Sequence, residues 1–360
     1  MSMLKIAIDC TNFTKGRVGG FESFLFNLLD GFLLINEPEI TLYVLSKQVQ
    51  NFAKYSRSGM LVIPVHISGA YTRIAWQNIV LPIYSIKHSV ILFPANFRSI
   101  LLFSKSITVI HDLQYIYYPK YWSFMKRCYR RLFISHSIRR SDKVIAISNT
   151  VKKEIIDTFF RDDVEVIYNP IVMKQSLGKL DNIQFNFSRG PFFLIPSALD
   201  PHKNIQNLLL AIDQLQAQVG SPQFIFVGPY KASDFCFEYQ STKIYVMGYI
   251  DVALLNYLYS KCIAVILPSV YEGFGMPYVE ALVARKIVIA SDIPIARELL
   301  GEDAIYISPP FEKKQILSAL DLFMHEQRHH TESSHTKALI QNTSPSVVAQ
   351  KYITLLRGVT

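Results

Sequence analysis

Between Pro268 and Pro309 the chain reads PSVYEGFGMPYVEALVARKIVIASDIPIARELLGEDAIYISP. The apolar run Ala264-Val265-Ile266-Leu267 just before it reads as a buried strand, and Pro268 and Ser269 break that strand. Glu272 leads into a turn of Gly273, Phe274 and Gly275. Pro277 then suits the start of a helix, where its missing N–H costs nothing. The helix runs on through Glu280, Ala281 and Leu282, and Ile287-Val288-Ile289-Ala290 supplies the next buried strand. Strand, glycine turn, helix and strand make one unit of a parallel α/β sheet.

Such a turn has a chemical use. Free N–H groups and the positive dipole end of a first helical turn favour a phosphate or diphosphate, and glycines let the backbone approach its oxygens. Glu272 stands before the turn and Glu280 stands eight residues on, so two carboxylates frame it. A carboxylate repels phosphate but accepts hydrogen bonds from the hydroxyls of a sugar or a ribose. The ligand implied has hydroxyls at each end and a diphosphate between them, which describes a nucleotide sugar.

The rest of the chain repeats the architecture. At 360 residues it exceeds one ordinary core, so two domains are expected. Lys5–Asp9 is a short strand at the very start, without the apolar core of a signal peptide, and no apolar run reaches the ~18–20 residues of a membrane span. Further strands are predicted at Thr41–Leu45, Leu61–Val65, Val90–Phe93, Val144–Ile147, Phe192–Ile195, Phe224–Val227 and Ile244–Gly248, and helices at Phe21–Leu33, Val151–Phe159, Ile316–Phe323 and Val347–Leu356. The loop before Phe21 carries Lys15, Gly16, Arg17, Gly19 and Gly20 but no GxGxxG, which disfavours an ordinary dinucleotide fold. His111 and Asp112 end the buried run that begins at Ile107, where open α/β sheets place their sites. In SALDPHKN, Asp200 is a candidate N-cap, Pro201 a first helical residue, and Lys203 a cation at that helix start.

Charge is uneven. Residues 1–175 hold 22 Lys and Arg against 12 Asp and Glu, whereas residues 176–360 hold 15 against 16, so an anionic partner is expected at the first half. Its focus is YWSFMKRCYRRLFISHSIRRSDK, Tyr121–Lys143. At helical spacing Trp122, Met125, Tyr129, Leu132 and Phe133 share one face, with Lys126, Arg127, Arg130 and Arg131 beside it and Arg139 and Arg140 flanking. The plain reading packs the apolar face on the sheet. A second lets the basic rim rest on anionic lipid, and nucleic acid is disfavoured because no recognised module accompanies the patch. Cys10, Cys128, Cys236 and Cys262 are widely spaced and read as reduced, mostly buried thiols of a cytosolic protein. His325, His329, His330 and His335 show no ligand frame, and no metal site is read from them.

YEGFGMPYVEAL, with the SDIP and GEDA segments that follow, resembles the Glu-x7-Glu signature of retaining glycosyltransferases of family 4, which have the GT-B fold. TVIHDLQYIYYPKYW, ISNTVKKEI and VIYNPI also resemble segments of that family, so the likeness covers nearly the whole chain. It implies two Rossmann-like doubly wound domains facing a central cleft: an acceptor-binding domain over 1–175, a nucleotide-sugar domain over 176–345, and a helix over 346–360 crossing back. The linker is expected at Lys174–Arg189.

The resemblance also implies roles. Glu272 orients the sugar, Glu280 holds the ribose, His111 flanks the reacting carbon, and Gly19 and Gly20 lie beside the donor phosphates. Lys203, helped by His202, neutralises the diphosphate in place of a divalent metal. Relatives often carry an Arg where Ala198 stands here. Ser197, with Phe274 and Met276 of the turn, belongs to the donor side, and Gly248, Ile250 and Asp251 lie along the nucleobase. The expected reaction is metal-independent transfer of a hexose, with GDP-mannose the first choice over dTDP-rhamnose or UDP-sugars, to a lipid-linked glycan of a bacterial surface polysaccharide. That points to the cytoplasm, at the inner face of the plasma membrane. A sugar-nucleotide epimerase or phosphorylase of the same fold, and a non-catalytic binding protein, stay open as alternatives.

Overall fold

The computed structural model describes residues 4–15, 20–35, 39–172, 190–216, 222–229, 244–325 and 333–360. The chain divides into two compact units, Met1–Ile171 with Asn342–Thr360, and Val172–Gln341.

The first unit contains β1 (Lys5–Asp9), β2 (Glu39–Leu45), β3 (Leu61–Val65), β4 (Val90–Phe93), β5 (Ser106–Ile110), β6 (Lys143–Ala146) and β7 (Val164–Val166). They form one parallel sheet in the order β3-β2-β1-β4-β5-β6-β7. The second unit contains β8 (Phe192–Pro196), β9 (Gln223–Val227), β10 (Ile244–Val246), β11 (Ala264–Leu267), β12 (Ile287–Ser291) and β13 (Ala304–Ile307), parallel in the order β10-β9-β8-β11-β12-β13. Helices cover the sheets, so the central strands have no wet face. Every residue of β5, β11 and β12 is buried, which is why these strands read as continuous apolar runs without alternation. In the second unit Phe193, Phe224, Ile266 and Ile289 pack against Leu208, Ile212 and Leu320 from flanking helices.

In each sheet the strand order reverses once, between β1 and β4 and between β8 and β11. Loops leaving the carboxyl ends of such a pair diverge and open a crevice, the usual ligand position in a doubly wound sheet.

The helix Pro345–Val359 belongs to the first unit and lies on the helix Phe21–Ile35. The approach is close at Gly31, where a Cβ would meet the Pro345 carbonyl oxygen at 2.3 Å. The next residue, Phe32, meets Tyr352 edge to face, centroids 6.2 Å apart.

Several elements depart from expectation. The strands β7 and β13 and the helical stretch Ala70–Ser85 are observed where no element was predicted. Asp200 does not cap a helix: Pro201–Lys203 is a single 3-10 turn ended by Asn204 at φ +58°, and the long helix starts afterwards at Ile205. The basic helix, Phe124–Arg140, does not lay its apolar stripe on the sheet. Its buried residues are Ile134, Ser137 and Ile138, so it docks through its last turns, and Phe124, Met125 and Leu132 project into solvent. Cys10 and Cys262 are buried but Cys128, on this helix, is exposed. The expected linker at 174–189, Gly19 and Cys236 lie outside the described residues.

Candidate active site

The second unit's crevice is built from the loops after β8 and β11. Ser197 follows β8 and its N–H donates to Val227 O at 3.0 Å, which starts the loop on a fixed path. The loop turns through Pro201–Lys203 and is tied to its neighbour where Val270 N–H donates to His202 O at 2.8 Å. That contact brings the two chemistry-bearing side chains together: Lys203 Nζ donates to Glu272 Oε1 at 2.6 Å, both side chains being mostly buried. Burial by itself would raise the Glu272 carboxyl, but Lys203, His202 and the Ser269 hydroxyl outweigh it and hold the group below the usual carboxylate range. Glu272 is therefore an anion at neutral pH, and Lys203 is its counter-ion.

Immediately after Glu272 the chain enters the glycine turn. Gly275 has φ +74° and precedes the helix Met276–Val283, whose Pro277 occupies the first turn. A side chain at Gly275 would be strained by this φ, and its Cβ would come within 2.5 Å of the Tyr278 ring. The turn is thus packed from below by Tyr278, with Phe274 and Met276 buried beside it, while Gly273 stays partly exposed. The helix start, a lysine and its carboxylate partner meet in one place, and the free N–H groups and dipole of a first helical turn favour an anion such as a diphosphate.

Glu280 lies one turn further along this helix. Its Oε2 accepts a 2.7 Å hydrogen bond from the Tyr259 hydroxyl, supplied by the helix Val252–Lys261. Burial pushes the Glu280 carboxyl up and the Tyr259 bond offsets part of that rise. Tyr259 is fully buried and its hydroxyl is pushed well up by burial and by Glu280, so it remains a donor. Nothing in the sequence marked Tyr259. Its spacing from Glu280 says nothing of contact, because the two residues lie on separate helices with the strand β11 between them in the sequence. The loop before Val252 has Gly248 at φ +64°, accepting from Gly228 N–H at 3.0 Å, and a partly exposed Ile250. Asp251 caps the helix, accepting from Leu254 N–H at 2.7 Å, so its carboxylate has a structural duty.

The first unit holds the other candidates. Gly20 starts the helix Phe21–Ile35, its carbonyl accepting from Phe24 N–H at 2.9 Å. His111 follows β5. Its N–H donates to Asn96 Oδ1 at 2.7 Å, its Nε2 lies 2.6 Å from Pro94 O, and its ring packs edge-on against Phe24 with centroids 4.8 Å apart. A carbonyl only accepts, so Nε2 carries the proton. Burial lowers the His111 pKa, more than Pro94 and Asp112 raise it, so the ring is neutral and Nδ1 is its free lone pair. Arg130 is not part of an exposed basic rim: its guanidinium stacks 4.3 Å above the Trp122 ring and lies 3.7 Å from Asp112. Lys126, Arg127 and Arg131 are exposed as expected. Among the described residues no three His, Cys, Asp or Glu side chains cluster as metal ligands would.

Both units are similar to known proteins. Residues 86–175 match the Glycosyltransferase Family 4 domain and residues 179–343 match Glycosyl transferases group 1. The O-antigen chain mannosyltransferase RfbU of Salmonella typhimurium is 33 % identical over 223 residues, 59 % of this chain and 59 % of that protein. The O-antigen chain mannosyltransferase B of Escherichia coli is 22 % identical over 57 % of this chain and 58 % of that one. The matches thus span under two thirds of the length of these curated relatives. Among solved structures, Anabaena Alr3699/HepE in complex with UDP-glucose superposes with a TM-score of 0.76 over 99 % of this chain and 100 % of that one, at 17 % identity, a likeness of fold. The chain thus carries a Glycosyltransferase Family 4 domain in its first parallel-sheet unit and a Glycosyl transferases group 1 domain in its second, on the two Rossmann-like domains of a GT-B fold.

Proposed function

We propose that this protein transfers a hexose from a nucleoside-diphosphate sugar, with mannose from GDP-mannose the first choice, to a lipid-linked glycan in the assembly of a bacterial O-antigen. The observation that carries the reading is the Lys203–Glu272 pair at the start of the glycine turn. A lysine beside a helix N-terminus stabilises a departing diphosphate, and a carboxylate that stays ionised at neutral pH accepts hydrogen bonds from the transferred sugar. When the diphosphate arrives it competes with Glu272 for Lys203, which frees a carboxylate oxygen for sugar hydroxyls. Glu280 takes the ribose, with Ser197, His202 and the Gly248–Asp251 loop also on the donor side. The mannosyl choice is supported by the names of the curated relatives.

In the reaction we infer, the bond from the anomeric carbon to the diphosphate oxygen breaks as a bond to the acceptor oxygen forms on the same face. The acceptor proton passes to a donor phosphate oxygen, so the configuration is retained without a protein nucleophile or a metal. The role of His111 beside the reacting carbon, and that of Gly19 and Gly20 near the phosphates, rest on the resemblance of their segments. The acceptor is assigned to residues 1–175. An anionic membrane surface that presents a lipid-linked acceptor belongs to the same reading, with Lys126, Arg127 and Arg131 as its cationic contacts.

A thermal-shift screen against GDP-, UDP- and dTDP-sugars tests the donor, since a ligand at about 100 times its Kd stabilises by ~2.7 kcal/mol. GDP-mannose should give the largest shift. With the donor in hand, Glu280→Ala should raise its KM and Glu272→Ala should cut kcat. No shift with any nucleotide sugar, or near wild-type kinetics in both variants, would overturn the assignment.

A further inference from the structure

The two opposite charges at the glycine turn satisfy each other. Lys203 Nζ sits 2.6 Å from Glu272 Oε1, and only 21 % of the lysine side chain and 13 % of the glutamate side chain are exposed, so water hydrates neither well. Taking one partner out of such a pair is costly, because the other charge is left buried and alone. A ligand that captures Lys203 therefore strands Glu272 unless it also brings something for the carboxylate.

The backbone decides which side chain gives way. The turn of Lys203 is pinned at both ends: Lys203 N–H donates to Asp200 O at 2.8 Å, and the Asn204 side-chain amide donates to Phe311 O at 2.7 Å. Val270 N–H on His202 O, at 2.8 Å, ties this turn to the loop of Glu272, so the pair does not open by parting the loops. The hydroxyl of Ser269, a residue 1 % exposed, also bonds to the Glu272 carboxylate and holds it in place. Lys203 reaches across on a flexible four-carbon stem. The lysine can thus swing to a diphosphate while the carboxylate stays where it is, still ionised.

We propose that Glu272 is the specificity-determining residue by which this site tells a nucleoside-diphosphate sugar from the free nucleoside diphosphate left after transfer. The inference rests on the nucleotide-sugar reading above and adds regulation by product to that same site. Both ligands draw Lys203 away from Glu272. The nucleotide sugar offers hydroxyl donors to the carboxylate in exchange. The free nucleoside diphosphate offers none, and its new terminal phosphate ionises a second time near neutral pH, which sets more negative charge beside a fixed anion. Glu272 thereby favours the substrate over the product. Once the sugar has left, the carboxylate recaptures Lys203 and helps to expel the diphosphate.

Isothermal titration calorimetry of the full chain with three matched pairs reads this preference: GDP-mannose with GDP, UDP-glucose with UDP, and dTDP-rhamnose with dTDP. For the pair that binds, Glu272→Gln should tighten the nucleoside diphosphate about tenfold, the like-charge contact being gone, and leave the nucleotide sugar no tighter than in the wild type. Lys203→Met strands the carboxylate in both complexes. It should weaken the nucleoside diphosphate more than the nucleotide sugar, whose hydroxyls still reach Glu272. The two variants thus move the affinity ratio in opposite directions, and if one of them fails to fold the other still decides. Equal changes for both ligands would make the pair a structural bridge and overturn the proposal. So would a Glu272→Gln protein that binds the nucleoside diphosphate more weakly than the wild type does. In either case wild-type binding leaves the donor assignment standing. Should none of the six ligands bind the wild type, the donor assignment and this inference fall together.

Discussion

Tyr259 is the side chain through which the role of Glu280 can be reached without touching Glu280 itself. Its hydroxyl holds one carboxylate oxygen at 2.7 Å and leaves the other for a ligand hydroxyl. Among the described residues Tyr259 is the titratable group facing the Glu280 carboxyl, and Cys262 in turn faces Tyr259. Tyr259→Phe keeps the ring that fills the core and removes only the bond. If Glu280 binds the donor ribose, donor KM should rise on the order of tenfold, the equivalent of ~1.4 kcal/mol, with kcat little changed. The bond also lowers the Glu280 pKa, so its loss should move the acid limb of kcat/KM for the donor to higher pH. A variant that loses stability but keeps wild-type KM and pH profile would make Tyr259 a packing residue only. Motif and resemblance named both carboxylates and Lys203, but not the Lys203–Glu272 pairing and not Tyr259, because these contacts join residues 69 and 21 positions apart.

The element that carries the site is the turn from Glu272 to the helix Met276–Val283, and its legibility was high. Continuous apolar strands on each side and a Pro in the first helical turn leave few other folds for it. Its demand on residue 275 is a separate matter. Gly275→Ala meets both a left-handed φ and the Tyr278 ring, and strain of this kind costs about 1–3 kcal/mol. We expect a lower melting temperature together with a weaker nucleotide-sugar shift, since the helix start must tilt to make room. Unchanged values in both would show that the turn relaxes freely. The basic helix Phe124–Arg140 was the harder element. Helical spacing located its apolar stripe, but spacing alone does not say whether a stripe meets protein, and here burial is confined to its last turns. Asp200 failed as a cap for a related reason: an Asp-Pro pair fits a 3-10 turn as well as a helix start.

At the scale of the molecule, both sheets were readable from their unalternating apolar strands, whereas β7 and β13 were missed. β7 is three residues at a sheet edge, with one residue exposed, and so lacks the signature of a central strand. The pairing of Phe21–Ile35 with Pro345–Val359 brings together segments more than 300 positions apart, and Gly31 permits it. Gly31→Val should force the two helices apart and lower the denaturant midpoint of the first unit, read by chemical denaturation with the transition of the second unit as an internal control. An unaltered first transition would show the contact to be dispensable. This arrangement has a consequence during synthesis. A ribosome completes residues 172–341 of the second unit before it delivers the helix that meets Gly31 and Phe32, so the first unit cannot close until the second has been made. Until then the side of Phe21–Ile35 that this helix covers stands open to water.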